Sequence, residues 1–296
     1  MIKKLMINIY EKLLRKYTYI KDKIVKKKIG VPKVMTMDET MDYIIKRRCS
    51  VSRYGDGELK LISGEDIRFQ KCNLELSRRL AEILKGNGNT LVCISNIFDT
   101  PNWMNEKAYE YTWRIVAKNR KLWTSHLNLE YLYGNAFISR PYFDWKEQTN
   151  AIRWFNKLKQ IWNNHDIVFI EGCKSRLGYN NDLFQGAKSV KRILCPAQNA
   201  YIKYTEILKE AEKQPKEVLF LLACGPTATI LAEDLAKDGY WAIDIGHIDI
   251  EYEWFKMKAT EKLPVKNKYT NEAVGGDQVK DDIDDGFRQE VIAEIL

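Results

Sequence analysis

The stretch VLFLLACGPTATILAEDLAKDGYWAIDIG, residues 218–246, decides the fold. Val218 to Cys224 is an unbroken apolar run, short enough for a buried strand. Gly225 and Pro226 then turn the chain, Thr227 stands where a helix is capped, and a helical pattern runs to Gly239 before a second apolar run, YWAIDIG. Strand, helix and strand in that order predict a β-α-β unit, which joins parallel strands. A helix that begins at the carboxyl edge of such a strand presents free N–H groups and a positive dipole end, so Gly225, Pro226 and Thr227 are candidate phosphate-binding residues. The alternative is that Gly-Pro-Thr only turns the chain. Neither G-x-G-x-x-G nor G-x-x-x-x-G-K-[ST] occurs, so a standard dinucleotide or P-loop site is not supported.

The same alternation extends outward. Helices are predicted near 38–47, 74–85, 105–118, 148–163, shortly after Asp182, and over 199–213; strands are predicted at TLVCISN (90–96), KLWTSHL (121–127), DIVFIEG (166–172) and RILCPA (192–197). Short apolar runs separated by helices indicate an α/β domain, Rossmann-like, with a mainly parallel sheet flanked by helices. It is expected to span residues 36–296, after a segment over 1–35 that ends in a linker marked by Gly30 and Pro32.

That first segment carries the formal charge. Of a net +8, all sits in residues 1–28, which hold ten Lys or Arg and two Asp or Glu; the rest carries 38 of each sign. Ile2, Leu5, Met6, Ile9, Leu13, Tyr17, Ile20 and Ile24 recur every three or four residues among the lysines, which predicts one cationic amphipathic helix. It suits an anionic membrane surface, or docking on its own domain or on a partner. A neutral body with one basic arm argues against a nucleic-acid-tracking surface. The chain has 45% apolar residues but no apolar run long enough to cross a bilayer, and no signal peptide is recognisable, so a cytoplasmic protein is expected. Six cysteines show no C-x-x-C spacing and read as buried thiols, and three histidines are too few for an imidazole-built site.

Three stretches offer chemistry. In IEGCKSRLGYNNDLF (170–184) Arg176 is a candidate phosphate partner, and Asn180, Asn181 and Asp182 are candidates for a base or ribose; these residues also make turns and helix caps. In DIGHIDIEYEWF (244–255) His247, Asp249, Glu251 and Glu253 alternate with apolar residues, so an extended segment would line them along one face as an acid/base or metal wall. An edge strand facing solvent gives the same pattern. In SVSRYGDGELKLISGED (50–66) Asp56 and Glu58 stand one residue apart behind Arg53. If extended, both carboxylates reach one Mg²⁺ or Mn²⁺; the competing explanation is an Asp-Gly hairpin turn.

Together RYGDGE (53–58), EGCKSRLGYNNDLF (171–184), CPAQNAY (195–201), the block from Leu221 to Trp254 and KYTNE (268–272) resemble the GT-D-type glycosyltransferases, a bacterial family first catalogued as a domain of unknown function. The resemblance implies a Rossmann-like fold, a UDP-sugar donor, typically UDP-glucose, and a metal-associated Asp-x-Glu that falls on Asp56 and Glu58, with Mn²⁺ or Mg²⁺ as cofactor and His247 as a further candidate ligand. It makes Glu251 or Asp249 the expected acceptor base, with Glu58 in the catalytic set. Arg53, Arg176, Asn180, Asn181, Asp182 and Asn199 are then expected at the nucleotide and donor sugar, beside Gly225, Pro226 and Thr227. The acceptor implied is a glycan, lipid-linked or protein-linked, in surface polysaccharide or glycoprotein glycan assembly at the inner face of the membrane. A metal-dependent hydrolase passing the sugar or phosphate to water is the alternative.

Overall fold

Every strand pairing in the computed structural model is parallel. The model describes residues 2–99, 101–280 and 283–296; the side chains of residues 2–12 and 15 lie outside the described set, and with them Ile2, Leu5, Met6 and Ile9 of the apolar stripe. Nine strands form one sheet: β1 (Lys33–Val34), β2 (Ser50–Tyr54), β3 (Thr90–Ile94), β4 (Leu132–Asn135), β5 (Asp166–Gly172), β6 (Ser189–Cys195), β7 (Leu219–Ala223), β8 (Trp241–Asp244) and β9 (Val291–Glu294), in the order β1-β4-β3-β2-β8-β7-β5-β6-β9. The helices are α1 (Ile2–Ile29), α2 (Met37–Arg47), α3 (Asp56–Ile62), α4 (Leu74–Ile83), α5 (Glu106–His126), α6 (Asn150–Trp162), α7 (Tyr204–Ala211), α8 (Pro226–Lys237), α9 (Ile248–Met257) and α10 (Asp285–Glu290).

Strands β3, β5, β7 and β8 are apolar over most of their length because both faces are covered. Ile167, Phe169, Leu219 and Leu221 enter one core, while Val168, Ile170, Phe220 and Leu222 enter the other. The early and late halves meet where β2 lies beside β8, and there the ladder is short: one register pair, Val51 with Ile243, against five between β2 and β3. Side chains supplement it. Ser50 Oγ accepts from Ala242 N–H (2.9 Å), Ser52 Oγ donates to Thr229 O (2.8 Å), and Trp241 Nε1–H donates to Cys49 O (2.9 Å). This is the topological switch point of the sheet, and ligands of open α/β sheets bind at its carboxyl edge.

Several local expectations are corrected. KLWTSHL is the end of α5, not a strand: Val116, Arg120, Trp123 and Thr124 are buried at helical spacing, with no breaker between 106 and 126. No helix follows Asp182; the chain makes turns there, tied by Asn181 and Asp182 side chains. The segment after Gly30 is not a free linker, since Lys33 and Val34 pair with Leu132 and Tyr133 at the sheet edge. Neither β4 nor β9 was expected. Most consequential, DIGHIDIEYEWF is not extended beyond Asp244: it continues as α9, buried nearly all round, so alternation carries no face information.

Candidate active site

The loops leaving β2, β3, β4, β5, β6, β7 and β8 all open into one cavity of about 660 Å³ at the carboxyl edge of the sheet. That volume suits a small organic ligand. Arg53, Asp56 and Glu58 come from the β2 edge, Asp244, His247 and Asp249 from the β8 edge, and Asn199 and Gly225 from β6 and β7. The early acidic pair and the late acidic segment therefore share one space.

At the switch point β2 ends at Tyr54, and Asp56 opens α3. Asp56 and Glu58 are therefore neither an extended pair nor a hairpin turn. On a helix, residues two apart point about 200° apart, so the two carboxylates diverge. Gly55 N–H donates to Glu58 Oε2 (2.7 Å), and Asp56 Oδ2 accepts from Lys60 Nζ (2.7 Å). Glu58 lines the cavity with Arg53 and Asp244 and feels the charge of both, and Arg53 Nη2 lies 3.4 Å from Asp244 Oδ1. Burial holds both Glu58 and Asp244 above the usual carboxylate range, with Arg53 opposing it. The Arg53 Nε is buried and has no hydrogen-bond partner. Gly246 permits this packing: at φ +44° it lies so close that a Cβ would sit 1.9 Å from Arg53 Nη2.

A second polar group lines the other part of the cavity. Glu272 binds Arg140 and Lys262, and His247 Nε2 lies 3.0 Å from Glu272 Oε1. Burial pushes Glu272 up, but Arg140 and His247 outweigh it and hold the carboxyl far below its normal range. Burial also depresses the His247 imidazole, against the pull of Glu272. An aromatic wall completes the space: a Cβ at Gly225 (φ +63°) would lie 3.0 Å from the Phe69 ring. Asn199 fixes that loop, its N–H donating to Phe69 O (2.8 Å) and its Oδ1 accepting from Lys71 N–H (2.7 Å).

Other expected site residues lie off the cavity wall. Arg176 is buried, and its guanidinium donates to Asn267 O (3.1 Å) and Lys280 O (2.7 Å), so it ties down the C-terminal segment. Asn180 makes a turn at φ +60°. Asn181 donates to Asp249 (2.8 Å) and Glu253 (2.7 Å), and Asp182 holds Lys159, Lys256 and Tyr252. Pro226 and Thr227 open α8 behind Gly225. Because α9 is helical, Asp249 and Glu253 share Lys268 one turn apart, while Glu251 points elsewhere. Glu251 Oε2 accepts from Tyr142 N–H (3.0 Å) and Phe143 N–H (2.9 Å), and its Oε1, 3.8 Å from Arg140, has no hydrogen-bond partner. Burial pushes its pKa up to about 7, against Arg140. Asp249 reaches the cavity with both oxygens engaged, by Gly178 N–H (2.9 Å) and Asn181 on one and Lys268 (2.7 Å) on the other.

Sequence reasoning missed Asp244, Phe69, Arg140 and Glu272. Asp244 had a local mark, as the acidic residue closing an apolar strand, and Glu272 closes the KYTNE stretch, though neither was singled out. The others are joined to the site purely by tertiary contacts.

The model of the family described as glycosyltransferase GT-D fold matches residues 51–273. Among curated proteins the chain is similar to a probable glycosyl transferase Gly of Streptococcus gordonii, 38% identical over 274 residues, covering 88% of this chain and 39% of that protein. It is similar also to glycosyltransferase GlyD of Streptococcus pneumoniae serotype 4, 34% identical over 275 residues, covering 92% of this chain and 34% of the relative. The chain thus spans well under half the length of these relatives. Among solved structures, one described as a domain of unknown function 1792 with a distinct glycosyltransferase fold superposes with a TM-score of 0.88 at 37% identity, covering 93% of this chain and all of that one. Another, described as a new glycosyltransferase from Streptococcus sanguinis, gives 0.85 at 36% identity, covering 90% of this chain and all of that one.

Proposed function

Because the chain belongs to the family of glycosyltransferases with the GT-D fold, we propose that it moves a hexose, glucose first among those to test, from a UDP-sugar to a glycan carried on a polyprenyl lipid. The single observation that carries this reading is the meeting of Arg53, Glu58 and Asp244 in the cavity at the switch point. A sugar nucleotide fits that chemistry. Arg53, partly exposed and lacking a partner on Nε, neutralises the negative charge that gathers on the departing diphosphate. Gly225 opens the start of α8 to phosphate oxygens, and the Phe69 ring offers a face for the base.

Among the described residues no cluster of three His, Cys, Asp or Glu side chains is arranged to hold an ion unaided. The donor set nevertheless fits a hard ion such as Mg²⁺ or Mn²⁺, which takes one or two carboxylates and draws its other ligands from diphosphate and water. Glu58 and Asp244 would hold it; Asp56, which diverges from Glu58 and binds Lys60, and His247, turned to Glu272, are the weaker of the proposed ligands. The bound ion supplies charge neutralisation at the leaving group. Of the two expected acceptor bases Asp249 lines the cavity, whereas Glu251 acts behind it, fixing the Tyr142–Phe143 turn beside Arg140.

Radiolabelled UDP-glucose incubated with Mn²⁺, with and without a lipid-linked glycan, tests the reading. Label passing to the glycan is expected; release of free glucose at the same rate without acceptor would make the protein a hydrolase and overturn it. Glycan-bearing protein offered in place of lipid separates the two acceptor classes.

A further inference from the structure

We propose that α1 is a membrane-docking helix, held by its polar side so that its apolar stripe is offered to an anionic bilayer. Asp22 is buried against α5, accepting from Arg120 Nε–H (2.5 Å) and Nη2–H (3.1 Å), while Arg120 Nη1–H donates to Phe98 O (2.6 Å). Lys26 pairs with Asp99, and Tyr19 lies against Trp113 with ring centroids 6.2 Å apart. These contacts fix one side of the helix.

On the opposite side Leu13, Tyr17, Ile20 and Ile24 are 62%, 64%, 50% and 63% exposed. Their spacing of four, three and four residues makes one stripe, about 200° around the helix from Asp22. A helix docked on its own domain ordinarily buries such residues; here Asp22, the one buried charged residue among the described side chains of α1, faces the protein and the apolar row faces out. Exposed Lys16, Lys21, Lys23, Lys27 and Lys28 flank the row, and none of them makes an ion pair among the described residues. This arrangement is complementary to acidic headgroups above acyl chains. A second copy of the same stripe is a poor occupant, because two rows of unpaired lysines would face each other. The helix is not a membrane span, since among the described residues no helix is long and apolar enough to cross a bilayer.

The clamp ties this surface to the cavity. Ala108, Tyr111, Thr112 and Ile115 of α5 line the cavity, and Arg120 on the same helix grips α1. Ile115 and Arg120 are five positions apart, about 8 Å along the axis. A bilayer seated on the stripe would therefore hold the cavity close to its surface. The inference does not depend on the transfer reaction.

The test is sedimentation of the purified 296-residue chain with phosphatidylglycerol/phosphatidylcholine vesicles and with phosphatidylcholine vesicles alone. Binding to the anionic vesicles only, weakened by salt, is expected. Replacing the five exposed lysines by Gln should weaken it about fivefold per lysine, and Tyr17→Glu with Ile20→Glu and Ile24→Glu should weaken it more than tenfold, with melting temperatures unchanged because these side chains are exposed. No binding by the unaltered chain, or full binding by the triple Glu variant, would overturn the proposal. So would a stable dimer in the absence of lipid that the triple Glu variant splits.

Discussion

Adding one methyl group at Gly246 should disable the cavity more than it destabilises the fold. In Gly246→Ala the new Cβ falls 1.9 Å from Arg53 Nη2 and 2.6 Å from Cζ, distances no contact sustains. The end of a long side chain yields before backbone does, so the guanidinium swings away. The φ of +44° costs an L-residue roughly 1–2 kcal/mol. Asp244 loses its cation but keeps Gly246 N–H (3.1 Å) and Thr229 Oγ1 (3.4 Å), which limits the second loss to about 1–2 kcal/mol. The sum predicts a melting temperature lowered by roughly 5–10 °C for a domain of this size. A transition-state donor moved out of place costs about 10²–10³ in turnover. Gly239→Ala is the control: it carries the same left-handed strain at φ +84° with nothing within 4 Å of the added atom, away from the cavity. Donor turnover and thermal denaturation of both variants decide the matter. Folded Gly246→Ala with near-normal turnover, or an equal loss in Gly239→Ala, would refute the role given to Arg53.

Glu58→Ala should lower transfer at least a hundredfold, while Glu58→Gln, which still accepts from Gly55 N–H, keeps the melting temperature of the parent within a few degrees and loses activity alike; activity retained by the Gln variant would show that the charge is not needed. Glu251 has a pH signature. Its native pKa of about 7 exceeds the ordinary 4.5, so between those values the native state keeps a proton that the unfolded chain has lost, and stability falls as pH rises through the window by about 3 kcal/mol. The difference in unfolding free energy between the parent and Glu251→Gln should therefore change by that amount from pH 4.5 to 7.5, and a flat difference would contradict it. Arg120→Leu leaves Asp22 buried without a partner, a loss of about 3–5 kcal/mol at the clamp, and should speed tryptic cleavage after Lys21 to Lys28 well before the sheet melts.

How far the sequence foretold this molecule depended on the range of the forces involved. The β-α-β unit over 218–246 was legible because apolar runs, a Gly-Pro turn and a helical period are local signals, and they appear as β7, α8 and β8. Gly225 was placed at the carboxyl edge by the same local signals, whereas Arg53, Asp56 and Asp249, singled out through an extended pattern or the family resemblance, line the cavity although Asp56 and Asp249 are helical. The failures are equally physical. Alternation over 247–254 suggested a strand, yet a helix buried on nearly every side has apolar residues at any spacing, and its acidic groups are satisfied by Lys268 and by the N–H groups of Tyr142 and Phe143. Arg176 sat in a loop of the right composition, but its partners are carbonyls of residues 267 and 280, about a hundred positions away, which no local pattern announces. Glu272 and Arg140 meet only through the fold.

The β2–β8 junction has a single register pair. Strand ladders are rigid and indifferent to side-chain identity, whereas this junction is fastened largely by the hydroxyls of Ser50 and Ser52 and the indole of Trp241. Point changes in these fasteners should therefore shift the two banks of charge relative to each other while leaving each bank intact.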